Sequence, residues 1–201
     1  MVKVAVLVSG GGTNLQAILD AEDAGTLKSG RVTLVVSNNP NAYALTRAEK
    51  HGVETLVLSK ADYPTKEAFE TALDDALRAR GIELVVLAGF MRILSADFTN
   101  KYPERILNVH PALIPSFCGE GYYGLRVHEA ALNYGVKVTG ATVHFVNEIP
   151  DGGRIIAQKA VYIEDGDTPE TLQKRVMEQA EWILLPQAIE QVSAELAAGR
   201  A

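Results

Sequence analysis

The chain has one cysteine, Cys118, in 201 residues. No internal disulfide can form, and a reducing, cytoplasmic setting is expected. No run of about 18 apolar residues occurs, so no membrane-spanning helix is expected. Positive charge is in deficit: 19 Lys and Arg stand against 25 Asp and Glu, a net charge of −6. That balance argues against a nucleic-acid or membrane-surface partner. It leaves room for a small anionic ligand, because backbone N–H groups hold a phosphate locally. The apolar start Met1–Val8 runs straight into Ser9-Gly10-Gly11-Gly12 with no small-residue cleavage site, and reads as a strand rather than a signal peptide. Repeats, low-complexity tracts and linkers are missing too. One domain over residues 1–201 is the simplest organisation, with residues 1–105 forming one half and 106–201 the other.

What is present is alternation. Short apolar runs at Val4–Val8, Val32–Val36, Glu54–Leu58 and Leu84–Ala88 predict strands. Between them, Asn14–Ala24, Ala42–His51 and Thr65–Arg80 carry helical spacing; Thr65 is placed to cap the third, and Gly52 and Gly81 to end the second and third. Such alternation predicts a parallel sheet buried on both faces with right-handed crossovers. The second half differs. Strand Ile106–His110 leads into a Pro- and Gly-rich loop and a short helix, Val127–Tyr134. Strands Val138–Val146 and Arg154–Tyr162 follow, then a helical segment Thr168–Ala198 with a kink or break expected at Pro186. The fold class is α/β: a three-layer α/β/α domain with a mostly parallel, Rossmann-like sheet and an antiparallel C-terminal extension.

Three elements carry chemistry. Ser9-Gly10-Gly11-Gly12-Thr13-Asn14 joins a strand to a helix, where N–H groups and the helix dipole favour an anion. It has no lysine for a nucleoside triphosphate, and Leu15 stands where a dinucleotide fingerprint needs its third glycine. No acidic residue follows the second strand at Ser37-Asn38-Asn39, so a single phosphate fits best. The bland alternative is a tight turn with Thr13 or Asn14 capping the helix. Secondly, Asn108 and His110 at the end of a strand point the same way, as residues i and i+2 do. An amide donor beside an imidazole suits an oxyanion and a proton shuttle, though a satisfied polar pair would look the same. Thirdly, Asp151-Gly152-Gly153 reads as a turn whose glycines supply positive φ. By itself it is an ordinary hairpin signal, and sequence does not bring Asp151 to His110. His144 shares a face with Thr142, as a residue behind the site or a structural histidine; His51 and His128 read as helix-end or surface residues. Cys118 lacks an activating base and reads as a loop residue. No compact spacing of metal ligands occurs, so no metal is expected.

Together the strings resemble one family. Ser9-Gly10-Gly11-Gly12-Thr13-Asn14-Leu15, Leu87-Ala88-Gly89-Phe90-Met91-Arg92-Ile93-Leu94, Asn108-Val109-His110-Pro111-Ala112-Leu113-Ile114-Pro115 and Asp151-Gly152-Gly153 stand in the order and approximate spacing of the phosphoribosylglycinamide formyltransferases. The resemblance covers nearly the whole chain. It implies an enzyme of de novo purine biosynthesis, with 10-formyltetrahydrofolate as co-substrate and the amine of glycinamide ribonucleotide as acceptor. It implies catalysis by Asn108, a protonated His110 and Asp151, and phosphate binding by Gly12, Thr13 and Asn14. It assigns the folate pocket to Met91, Arg92, Ile93 and Leu94 and to Asn147, Glu148, Ile149 and Pro150, with Lys66 near the folate tail. Glu178 and Glu181 are the acidic acceptor-binding candidates. Glu181 matches when counted back from Pro186; counted forward from Arg175, the spacing is one residue too long. Two further departures stand out: the loop Phe117–Arg126 is longer than in the best-known members, and Arg154 replaces a frequent proline. A monomer or homodimer working on small molecules is expected. Deformylase relatives would carry an extra N-terminal domain, for which a first strand at residue 2 leaves no room, and transfer-RNA formyltransferases a basic C-terminal one.

Overall fold

The computed structural model describes residues 1–200; Ala201, the last residue of the expected domain, lies outside the described residues. The strands are β1 Val2–Val8, β2 Gly30–Ser37, β3 Glu54–Val57, β4 Leu84–Leu87, β5 Ile106–His110, β6 Val138–Phe145 and β7 Ile155–Tyr162. They form one sheet in the order β3-β2-β1-β4-β5-β6-β7. β1 to β5 are mutually parallel, while β6 runs antiparallel to β5 and β7 to β6. The helices are α1 Thr13–Asp23, α2 Tyr43–Lys50, α3 Lys66–Ala79, α4 Ala96–Thr99, α5 Leu125–Tyr134, α6 Pro169–Val176 and α7 Trp182–Ala197.

Alternation along β1 explains the three layers. Val2, Val4, Val6 and Val8 face a core shared with α1, α2 and α7, including Leu15, Ile18, Ala44, Leu185 and Ile189. Ala5 and Leu7 face a second core with Phe69, Leu73 and Leu77 of α3 and Phe98 of α4. A strand with helices on both sides has no polar face, hence its unbroken apolar run. Thr65 caps α3 by accepting from Ala68 N–H at 3.1 Å. The strand order reverses between β1 and β4. That places the loops after these two strands, Ser9–Gly12 and Ala88–Ser95, on either side of a crevice at the strands' carboxyl ends, where open α/β sheets bind ligands.

Two details depart from expectation. α4 was not legible, since it is four residues long and owes its start to the Ser95 hydroxyl, which accepts from Phe98 N–H. And Pro186 does not break the terminal segment: it lies inside α7. The irregularity comes earlier, as a π-helical turn over Met177–Glu181 in which Trp182 N–H reaches back five residues to the Met177 carbonyl.

The second core holds a buried carboxylate. Asp74 accepts hydrogen bonds from Arg78 Nε (2.8 Å), Lys101 Nζ (2.9 Å) and the Tyr102 hydroxyl (2.7 Å). Burial alone would raise its pKa, but these donors bring it from the usual 3.8 down to about 2. A depressed carboxylate adds stability above its unfolded pKa and loses it as pH falls through the folded one. Asp74 should therefore contribute about 2 kcal/mol that vanishes between about pH 4 and pH 2. Acid titrations of the wild type and Asp74→Asn should show it: the variant's melting temperature is lower at pH 7, and the difference closes by pH 2.

Candidate active site

The glycine loop is fixed from behind and open in front. Gly12 caps α1 with φ +74°, and a Cβ there would stand 2.6 Å from Ala44 Cβ of α2. Conformation and space both require glycine. Arg47 Nε–H donates to the Gly11 carbonyl (2.8 Å) and Ala44 N–H to the Gly10 carbonyl (3.1 Å), drawing those oxygens toward α2. At Gly10 and Gly11 an added Cβ would meet nothing within 4 Å. No side chain caps α1, so neither Thr13 nor Asn14 plays the role of the bland alternative, and the first N–H groups of the helix can face an anion.

Thr13 and Asn14 instead reach the π-helical turn. The Thr13 hydroxyl approaches Met177 Sδ at 3.9 Å, and Asn14 Nδ2 donates to Glu181 Oε2 at 2.8 Å. Glu181 is buried, and burial pushes its carboxyl up to about 7 despite the Asn14 bond. Among the described residues, Asn14 Oδ1 is buried with no partner. Glu178 does not join this group: it is exposed and pairs with Lys174 at 3.8 Å.

Asn108, His110 and Asp151 come together. In the antiparallel β5–β6 ladder Asn108 pairs with His144 and His110 with Thr142, so the four side chains share one face. Asp151 Oδ2 lies 3.5 Å from His110 Nδ1, and its Oδ1 lies 3.5 Å from His144 Nε2. Asn108 Nδ2 contacts His144 Nε2 at 3.2 Å, while His144 Nδ1–H donates to the Phe145 carbonyl at 2.8 Å. His144 Nε2 thus stands between the Asn108 amide and Asp151 Oδ1, and Asn108's NH2 group faces the cluster with amide hydrogen left to offer. Thr142 anchors the loop beyond His110, accepting from Ile114 N–H (3.1 Å) and donating to the Ala112 carbonyl (2.7 Å).

Burial lowers the pKa of His110; Asp151 and the Phe117 carbonyl oppose this without overcoming it, and His144 adds to the lowering. The shift favours the neutral ring in the unliganded site, where the resemblance implies a protonated one. Burial would raise Asp151, but His144, His110 and Gly119 N–H hold it lower, as a carboxylate. Asp151 has φ +57°. Gly152 and Gly153 are not at positive φ, as the turn reading supposed; they are needed for space. A Cβ on Gly153 would stand 1.8 Å from the Phe145 carbonyl oxygen, and one on Gly152 2.6 Å from Ile149 Cγ2.

The long loop lies over this cluster. The Phe117 carbonyl accepts from His110 Nε2 at 2.8 Å, and Gly119 N–H donates to Asp151 Oδ2 at 2.8 Å. The Cys118 thiol, bonded to the Pro115 carbonyl, is pushed up by burial and by Asp151, which favours the unreactive protonated form. Arg154 turns away to Glu104 (2.8 and 3.1 Å), with its guanidinium over the Phe145 ring, so it leaves Asp151 alone. His128 is not a surface residue: α5 buries it completely, and burial drives its pKa down to about 4. His51 is half-buried, bonded to the Arg47 carbonyl.

Across the crevice, Met91 and Ile93 are exposed and Leu94 is buried. Met91 N–H donates to the Ser9 hydroxyl at 2.9 Å, joining the two loops of the crevice. Among the described residues, no hydrogen bond is made by the backbone groups of Arg92 and Ile93, which leaves them open to a ligand's polar edge. The Arg92 guanidinium sits over the Phe69 ring at 3.9 Å. Lys66 Nζ lies 3.9 Å from Glu70. Beyond β6, Asn147 Oδ1 accepts from Ile149 N–H at 3.0 Å, and Glu148, Ile149 and Pro150 are exposed. Sequence reasoning missed Arg47 and Glu70, noted Ser9 and Thr142 without giving them a role, and left His144 undecided. The shared face of Thr142 and His144 was the one available signal.

A doubly wound sheet with an open glycine loop at its switch point and an amide, imidazole and carboxylate at neighbouring strand ends is a frame suited to a group-transfer enzyme. The formyl transferase family model matches residues 2–189, and the chain belongs to that family. It is 44% identical to glycinamide ribonucleotide transformylase 1 from Symbiobacterium toebii and superposes on it with a TM-score of 0.90, over 96% of this chain and 88% of that one. It is 39% identical to the phosphoribosylglycinamide formyltransferase of Haemophilus influenzae, over 89% of this chain and 82% of the relative. It is 45% identical to the trifunctional purine biosynthetic protein adenosine-3 of Gallus gallus over 96% of this chain, but spans only 18% of that relative's length. Among the described residues, no helix is long and apolar enough to cross a membrane.

Proposed function

We propose that the chain transfers the formyl group of 10-formyltetrahydrofolate to the amine of glycinamide ribonucleotide, a step of de novo purine biosynthesis. It works as one domain, a cytoplasmic monomer or homodimer without a metal. The observation that carries this reading is the run of contacts from Asn108 through His144 and Asp151 to His110, each within 3.5 Å, in the same sheet whose first strand ends in an open glycine loop.

In this reading the acceptor's phosphate lies against Gly12, Thr13 and Asn14, and Glu181 rather than the exposed Glu178 meets its hydroxyl groups. The folate lies along Met91–Leu94 and 147–150, its anionic tail near Lys66. The amine attacks the formyl carbon, a C–N bond forms, and the carbonyl electron pair moves to oxygen. Asn108's free N–H stabilises that oxyanion. His110, neutral at rest, takes the proton released by the amine, and Asp151 steadies the resulting imidazolium. The proton then passes to N10 of tetrahydrofolate, directly or through a water, as the C–N10 bond breaks.

The test is to incubate the protein with 10-formyltetrahydrofolate, with and without glycinamide ribonucleotide, and follow tetrahydrofolate. Release that requires the acceptor supports the reading. Equal release without it makes the chain a hydrolase, and no release with either sinks the enzyme reading.

A further inference from the structure

α3 presents Lys66, Phe69 and Glu70 on one face, at i, i+3 and i+4. That face meets the segment after β4. Phe69 carries the Arg92 guanidinium on its ring, and the Phe90 ring stacks beside it at 6.4 Å. Glu70 is only 6% exposed, unusual for a carboxylate. Both oxygens bond Ser95: Oε1 accepts Ser95 N–H at 2.8 Å and also lies 3.9 Å from Lys66 Nζ, and Oε2 accepts the Ser95 hydroxyl in a short bond. Ser95 Oγ in turn accepts Phe98 N–H and starts α4. Thus the segment is held at its far end by Glu70 and at its near end by the Ser9 hydroxyl on Met91 N–H. Between these anchors, the Arg92 and Ile93 backbone groups make no bond within the described chain. A segment with free backbone groups can read a ligand's edge only if its ends do not move.

We propose that Glu70 is a positioning residue for the formyl donor: it holds the end of the Met91–Ser95 segment so that the backbone between presents fixed hydrogen-bonding groups to the pterin. It touches neither substrate. The inference rests on the functional reading above for the identity of the ligand, but not for the holding of the segment.

Two measurements on Glu70→Ala and Glu70→Gln test it. In the unliganded protein, amide hydrogen exchange at Met91 and Ser95, the two bonded N–H groups of the segment, should rise at least tenfold in Glu70→Ala, while the β1 and β5 amides stay protected. In steady-state kinetics, Glu70→Ala should raise KM for 10-formyltetrahydrofolate about tenfold, leaving kcat and KM for glycinamide ribonucleotide within twofold. Glu70→Gln keeps one acceptor for Ser95 N–H and should recover most of both effects. Unchanged exchange at Met91 and Ser95 overturns the proposal whatever the ligand, and so does an equal rise in both KM values, which is the mark of a general loss of structure. If exchange rises while the wild type shows no formyl transfer, the holding role stands and the functional reading fails. If the wild type transfers formyl but the folate KM of Glu70→Ala is unchanged, the positioning role fails alone.

Discussion

Replacing His110 with alanine should lower kcat on the order of a thousand-fold, within the range that a positioned proton-transfer group supplies, while both KM values stay within a few-fold. The imidazole is 4% exposed, and in the unliganded site its Nε2–H is engaged by the Phe117 carbonyl. Its value lies in accepting a proton that appears only as the C–N bond forms, so its loss raises the barrier without weakening ground-state binding. Asn108→Ala should behave alike through the oxyanion. The pH profile adds a check. Burial lowers the His110 pKa, and the neutral ring is the competent form, so kcat/KM should fall on the acid side with a midpoint below 6.5. That limb should disappear in His110→Ala. Near-normal kcat in both variants would overturn the mechanism.

Glu181→Gln should make the protein more stable and less active. The Glu181 carboxyl rises from 4.5 to about 7 on folding, chiefly by burial. A raised pKa means the native state holds its proton more tightly than the unfolded chain. Stability is then full below about pH 4.5 and declines as pH rises toward 7, by about 3 kcal/mol. Glutamine removes the penalty and keeps a partner for Asn14. Melting temperatures should therefore diverge with rising pH, the variant melting higher at pH 8 and no higher at pH 4.5. Over the same change kcat/KM for glycinamide ribonucleotide should drop tenfold or more, with KM for the folate unchanged. A variant no more stable than the wild type at pH 8 would show that the buried carboxyl carries no such cost.

The sheet and its flanking helices were legible because burial on two faces writes continuous apolar runs such as Val4–Val8, and helices between them repeat at 3.6. Asn108 and His110 were legible as a pair because strand geometry alone aligns i and i+2. Asp151 was not, since its contact with His110 joins a turn to a strand end 41 residues away, and only the family resemblance linked them. Gly152 and Gly153 were noticed for the wrong reason, because the Phe145 carbonyl that crowds Gly153 is a tertiary neighbour. Glu70 was invisible for a different reason: on a helix with acidic and basic neighbours, a buried carboxylate spells the same as a solvated one. Pro186 misled because a proline inside a helix normally breaks it.

The π-helical turn at Met177–Glu181 bears on how this stretch evolves. Adding one residue to a regular helix rotates everything beyond it by about 100°. A π-helical turn holds an extra residue within one widened turn. Upstream, Arg175 keeps its bonds to Asp167 and Glu164; downstream, Glu181 keeps Asn14 and Pro186 keeps its place in α7. A widened turn of this kind can take up one residue of length between its flanks and leave the Arg175–Asp167 and Asn14–Glu181 bonds in place.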